Sequence, residues 1–352
     1  MPVKRILIAA GVVSAMFAAA EDAVRMTPLG NAQVVTVQPA PEYNSWPMIQ
    51  AFGGKIVCAY SRGSAHSIGE GRRGVYARTS VDGGKTWGDE VCVANDPSVG
   101  EVTIGKGLDG DGAMLLWVRR WGNQRGHDLY RTTDGKVFEK ISSPSFSPMP
   151  MQVTDIFNVP GKGLMSLWFA GVYKNEKDGH SWGTLTSTDN GRTWTQHVVE
   201  NDLSVDEWPT EQSAVHIGGG RILAIARCER TRCQFQIVST DGGKTWKRER
   251  TNIKDVRLST PSLVFDGKSG LVFNYYYQRG ENRLKRRTVL ADFIFNRPGD
   301  WPEPELLAAG GEKCACDAGN VNAAVSGDRH LLALYSGTEK DCAVFVVSVP
   351  AR

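Results

Sequence analysis

The sequence predicts an all-β fold, a six-bladed β-propeller. Three observations carry this: a turn motif recurs at fixed spacing, strand-like segments flank its copies, and helical 3.6-residue periodicity is almost absent. The motif reads Ser80-Val-Asp82-Gly-Gly84-Lys-Thr-Trp87, then Ser187-Thr-Asp189-Asn-Gly191-Arg-Thr-Trp194, then Ser239-Thr-Asp241-Gly-Gly243-Lys-Thr-Trp246. A worn copy, Thr132-Thr-Asp134-Gly135-Lys-Val-Phe138, lies between the first two. The aspartates fall at 82, 134, 189 and 241, in steps of 52, 55 and 52 residues.

The motif has a local logic. Asp and Ser side chains hydrogen-bond to backbone groups a few residues on, which fixes a tight turn. Gly accepts the left-handed backbone of such turns. The Trp then opens the next strand as its first large apolar residue. Gly74–Thr79, Gly183–Ser187 and Gln234–Ser239 are β-rich and lead straight into the turns. Further strands are expected at Lys55–Tyr60, Ala113–Val118, Leu164–Phe169, Arg221–Ala226, Leu271–Tyr276 and Leu331–Tyr335. Roughly 330 residues divided by a period of ~52 give about six units, within the range of known propellers. No Pro/Ser-rich linker divides the chain, so residues 21–352 read as one domain.

The N-terminus reads as an export signal. Lys4 and Arg5 precede the uncharged run Ile6–Ala20, which ends in Ala18-Ala19-Ala20 before Glu21-Asp22. The run is short for a membrane span, which needs about twenty residues. A buried N-terminal helix and a retained anchor are the alternatives. With residues 1–20 as a signal peptide, the mature chain is expected to be secreted or periplasmic, with no membrane span.

Composition narrows the function. Ten Trp, twelve Phe and a hydrophobic content of 41% supply ample core material. A formal net charge of +3 without a block of Lys and Arg argues against nucleic acid as partner. The seven cysteines, Cys58, Cys92, Cys228, Cys233, Cys314, Cys316 and Cys342, suit disulfides or buried thiols better than a zinc spacing. No histidine pair with ligand spacing, phosphate loop, dinucleotide fingerprint or serine elbow is present, so no metal or cofactor is expected.

The turns match the Asp-box, or bacterial neuraminidase repeat, and the chain resembles the sialidase superfamily of six-bladed propellers over nearly all its mature length. Asp-boxes also occur in unrelated propellers, so they speak to fold rather than activity. The resemblance implies an exported glycoside hydrolase acting on a terminal acidic sugar. Such an enzyme holds the carboxylate with three arginines, protonates the leaving oxygen with an aspartic acid, and attacks with a tyrosine activated by a glutamate. Carried onto this sequence, Glu211 in Trp208-Pro-Thr-Glu211 is the activating acid and Arg227 a clamp arginine. Arg62 resembles the arginine that closes the first inner strand. Arg283, or failing it Arg279, fits the late clamp arginine.

Three departures accompany the likeness. The loop Gly63–Gly71 holds no aspartate, leaving His66 and Glu70 as proton donors. An Arg-Ile-Pro motif is replaced by Asn44-Ser45-Trp46-Pro47. The tyrosine's place reads Cys314-Ala-Cys316-Asp317, where Asp317 could act as nucleophile or base, or cap a turn. Glu101 and Asp155 are possible inward acids, and Tyr275-Tyr276-Tyr277 a stacking surface or ordinary strand residues. A non-catalytic acidic-glycan-binding propeller and a polysaccharide lyase, or another glycosidase on this fold, remain open readings. Arg62, Glu211, Arg227 and Arg283 are expected to converge, and Arg227→Ala to weaken glycan binding while leaving the fold intact.

Overall fold

A computed structural model describes residues 24–66, 73–122, 124–173, 179–230, 233–256, 258–311 and 319–351. The expected signal segment 1–20 lies outside them. Nearly all regular structure is antiparallel strand, as the sequence predicts, with one four-residue helix among the described residues, Ala291–Ile294. Among the described residues no helix is long and apolar enough to cross a membrane.

The strand pairing falls into repeated four-stranded groups. Gln152–Val159, Gly163–Ala170, His180–Ser187 and Thr195–Leu203 form one sheet, and Pro209–Gly218, Arg221–Cys228, Gln234–Ser239 and Lys247–Arg250 the next. Ser262–Asp266, Leu271–Gln278, Arg283–Leu290 and Glu305–Gly310 form a third, with Met26–Pro28 added at its edge. A twelve-stranded sheet holds three further antiparallel sets. They begin at Tyr43–Phe52, Gly100–Leu108 and Gly319–Ser326 and are joined only by the parallel bridges Cys342↔Tyr43 and Arg73↔Gly100. The last set takes its fourth strand, Gln33–Gln38, from the other end of the chain, against Cys342–Pro350.

The core follows from this order. Its buried clusters each bridge two groups that are neighbours in sequence: Leu115, Trp117 and Val153, Trp168 in one, Phe169, Trp182 and Ala224, Phe235 in another. A further cluster joins the last group to the first through Leu331, Val344, Tyr43 and Ile49. Strands are therefore buried on both faces, which explains apolar runs such as Leu331–Tyr335 where a one-sided sheet would alternate. The first strands of neighbouring groups approach closely. A Cβ on Gly105 would stand 2.4 Å from the Thr154 carbonyl oxygen, and one on Gly107 2.3 Å from that of Ile156, so only glycine fits there.

The repeated motif forms the turn between third and fourth strands. Ser80 Oγ donates to Asp82 Oδ1 (2.8 Å) and accepts from the Gly84 N–H (2.9 Å). Asp82 accepts from the Lys85 and Thr86 N–H groups (both 3.0 Å) and the Thr86 hydroxyl (2.6 Å). Asp241 repeats the set through Lys244 and Thr245, and Asp189 bonds Thr193 in the same way. Gly243 sits at φ +85°, in the left-handed region that disfavours any side chain.

These bonds hold the aspartates ionised. The Thr86 hydroxyl and N–H depress the pKa of Asp82, those of Thr245 that of Asp241, and the Val137 and Lys136 N–H groups that of Asp134. A depressed folded value stabilises above the unfolded aspartate pKa of about 3.9 and is lost as pH falls through it toward the folded value. The unfolding midpoint is therefore expected to drop as pH is lowered from about 4.5 to 2, and less steeply in the D82N/D189N/D241N variant. Calorimetry across that range checks this; equal slopes for both proteins would refute it.

Candidate functional site

The first strand of five groups carries a register shift: between Ser45 and Met48, Thr103 and Gly105, Val153 and Ile156, Thr210 and Ser213, and Gly319 and Asn322. A β-bulge re-aims the side chains next to it. Trp46, Glu211 and Asn320 occupy the bulges at φ 49°, 49° and 53°, strained for residues other than glycine. The bulged segments converge on one cavity of about 290 Å³, lined by Trp46, Thr103, Asp155, Glu211 and Asn320, with Arg119, Arg227 and Arg279 among its walls.

Its charges are ordered. Arg227 donates to Glu211 Oε1 and to Glu229 Oε2, each at 2.9 Å, and lies over the Tyr173 ring at 5.6 Å. Burial alone would favour its neutral form, but Glu211 and Glu229 overcome this and raise its pKa. Glu211 also accepts from the Thr260 hydroxyl through Oε2 and from the Tyr173 hydroxyl through Oε1 at 3.4 Å. Tyr173 is 39% exposed, yet loss of water around its hydroxyl and the adjacent Glu211 carboxylate raise the pKa of its phenol. Arg279 donates to Asn320 Oδ1 at 2.7 Å. Arg119 lies over the Trp121 ring at 4.3 Å, and burial lowers its pKa to about 10. On another wall, His66 Nδ1 is 3.1 Å from the Tyr43 hydroxyl, and its ring meets Trp46 edge-on. Asp155 accepts from Lys106 Nζ (3.0 Å) and Asn322 Nδ2 (3.0 Å).

Of the residues expected from sequence, Glu211, Arg227, Arg279 and His66 line this cavity. Glu70 and Asp317 lie outside the described residues. Arg62 does not line it. Tyr60 and Arg62 share one face of their strand and both reach Glu90, while the intervening Ser61 faces Thr103; Arg62 is further held by Glu42 at 3.1 Å. Arg283 is also displaced from the expected place. It starts the next strand, opposite Ala309, and donates to the Asn282 carbonyl at 3.4 Å, so Arg279 is the arginine at the cavity. The Tyr275–Tyr277 run offers no stacking surface: all three are buried, Tyr275 bonded to His330 (2.6 Å) and Tyr276 to Asp255 (3.0 Å). Asp155 lines the cavity, whereas Glu101 turns to the Asp96 N–H (2.9 Å).

Tyr173 and Arg119 are among the lining residues that escaped the sequence reading. Tyr173 lies in a connection, where no period marks it. Arg119 was findable: like Arg227, it stands near the end of the second strand of its group.

Sequence comparison matches the BNR/Asp-box repeat to residues 237–248, the third turn motif. No curated protein matches the chain. Among solved structures, a protein of unknown function from Dyadobacter fermentans is similar over 91% of this chain and 100% of that one, with TM-score 0.69 and 16% identity. Trypanosoma rangeli sialidase is similar over 91% of this chain and 60% of its own, with TM-score 0.64 and 11% identity. NanB, in a structure with Optactamide, is similar over 90% of this chain and 71% of its own, with TM-score 0.65 and 10% identity. The chain thus spans about 60% of the trypanosomal enzyme's length. At these identities the likeness is one of fold. The class so defined is an all-β protein of sialidase-like fold carrying a BNR/Asp-box repeat. Within that class, the likeness spans the whole of the Dyadobacter protein and 91% of this chain.

The geometry also gives Arg227 a structural part. Arg227 lies between the Glu211 and Glu229 carboxylates, so removing it takes away their shared cation. Arg227→Ala is expected to destabilise the protein by about 3–5 kcal/mol, the cost of breaking a buried ion pair from one side. Urea titration measures this; an unchanged midpoint would show that the pair is dispensable.

Proposed function

We propose that the chain is an exported glycoside hydrolase cleaving a terminal acidic sugar, built as a six-bladed β-propeller with the cavity at its mouth. Three features support the propeller: the four-stranded groups, core clusters shared by each neighbouring pair, and the junction of last group to first. The basic start and short apolar run of the sequence support export.

One observation carries the activity: a cavity holding three arginines also holds a tyrosine whose hydroxyl meets a glutamate. Arg279 binds the sugar carboxylate, since a guanidinium edge matches it in two places. Tyr173 Oη attacks the anomeric carbon and passes its proton to Glu211, while the glycosidic C–O bond breaks and His66 protonates the leaving oxygen. Water then attacks the same carbon, giving a proton back to His66 and releasing the sugar from Tyr173, whose oxygen recovers its proton from Glu211. Tyrosine in this role departs from the two-carboxylate pattern of most glycosidases.

A binding-only protein is the second reading. Glu211 already accepts from Arg227 and Thr260, so the pocket is complete as a hydrogen-bonded receptor without any chemistry.

A panel of aryl glycosides separates them. Wild type is expected to hydrolyse an acidic aryl glycoside and spare neutral ones. Tyr173→Phe and Glu211→Gln should each lower kcat by about 100-fold or more with affinity little changed, and Arg279→Gln should weaken affinity by about tenfold. Acidic-sugar binding without turnover would leave the receptor; equal action on neutral glycosides would remove the acidic-sugar reading.

A further inference from the structure

Arginines over aromatic rings are common in this chain, and most are also neutralised. Arg62 pairs with Glu90, Arg227 with Glu211 and Glu229, Arg248 with Glu200, and Arg287 with Asp255. Arg119 and Arg125 differ. Their guanidinium groups lie over the same indole, that of Trp121, at 4.3 and 4.4 Å from the ring centroid. Among the described residues no carboxylate pairs with either. Arg119 lines the cavity, Trp121 is half-buried, and Arg125 is exposed, so the three lead from the cavity to the surface.

Two cations sharing one ring repel each other, and the indole face offsets only part of this. A guanidinium held over a ring keeps its donor edge available to an anion in its own plane. An anion between or beside the two would gain from both charges at little ordering cost, because the stack already holds them in place. Burial weakens the hold of Arg119 on its proton, and an arriving anion would restore it.

We infer that Arg119, Trp121 and Arg125 form an anion subsite continuing the cavity outward, which takes the carboxylate or sulfate of the sugar adjoining the one bound inside. The preferred ligand is then a glycan with acidic groups on two successive sugars. This rests on the acidic-sugar reading of the cavity and adds the class of substrate.

Calorimetry on the full chain tests it with three probes: a trimer of linked hexuronic acids, a trisaccharide with one terminal acidic sugar followed by a sulfated neutral sugar, and a neutral disaccharide capped by one acidic sugar. Arg125→Ala changes an exposed residue outside the cavity. It is expected to weaken a two-anion probe by about tenfold, the scale of one charge-assisted contact, and to leave the single-acid probe unchanged. Loss on the hexuronate trimer alone assigns the subsite to carboxylate, loss on the sulfated probe alone to sulfate, and loss on both to either anion. Arg279→Gln, the cavity control, should weaken all three. If Arg279→Gln does so while Arg125→Ala affects every probe alike or none, the subsite is wrong and the cavity reading stands. If wild type binds no probe, both fall.

Discussion

The structure turns on a charge placed where four first strands meet. Lys106 is buried, and its ammonium group reaches Asp155 (3.0 Å) and the Ala323 carbonyl (2.9 Å). Asp155 also accepts from the Lys106 N–H (3.1 Å) and from Asn322, whose Oδ1 accepts the Ile49 N–H at 2.9 Å. Strands Tyr43–Phe52, Gly100–Leu108, Gln152–Val159 and Gly319–Ser326 are thus tied by one network. A buried ion pair is no certain gain in stability, yet breaking it from one side is costly. Its effect here is positional: Asp155 and Asn322 also line the cavity, so the network that ties the first strands together also forms part of the cavity wall.

Other junctions between groups use the same device on a smaller scale. Ser61 accepts from the Thr103 N–H (2.9 Å), Ser213 from Leu263 (2.9 Å) and Ser262 from Ala323 (3.0 Å). First strands of neighbouring groups do not pair as a sheet, so their free backbone donors need such partners. Small hydroxyls meet that need and, with Gly105 and Gly107, let the strands approach. This is why first strands look weakly hydrophobic in sequence while second strands such as Arg221–Ala226 look like core.

That difference explains what was legible. The turn motif is self-contained: Ser80, Asp82, Gly84 and Thr86 make its bonds within five residues, so it reads directly from the chain. Strand type followed from it. The pairing of Gln33–Gln38 with Cys342–Pro350, some 300 residues on, has no local signal. At the site, Glu211 and Arg227 were legible because they flank one hairpin. Arg62 failed because strand alternation faces it toward Glu90, and position along the strand did not reveal which face it takes. Tyr173 depends on where a connection folds back, a tertiary fact.

The arginines of the cavity do not play one role. Arg227 lies between Glu211 and Glu229, so its charge is spent before any ligand arrives. Its contribution is to hold Glu211 in a strained backbone position facing Tyr173, which orients but does not attract. Asp155 is likewise balanced by Lys106. Arg119, by contrast, is held by the face of an indole. Neutral supports fix a guanidinium without cancelling its field, whereas carboxylates fix it and cancel it. A chain of net charge +3 has little long-range pull to offer, so the field inside the cavity is set at short range by what holds each of these side chains. Arginines that look equivalent in sequence therefore divide by what holds them, a carboxylate or a neutral ring.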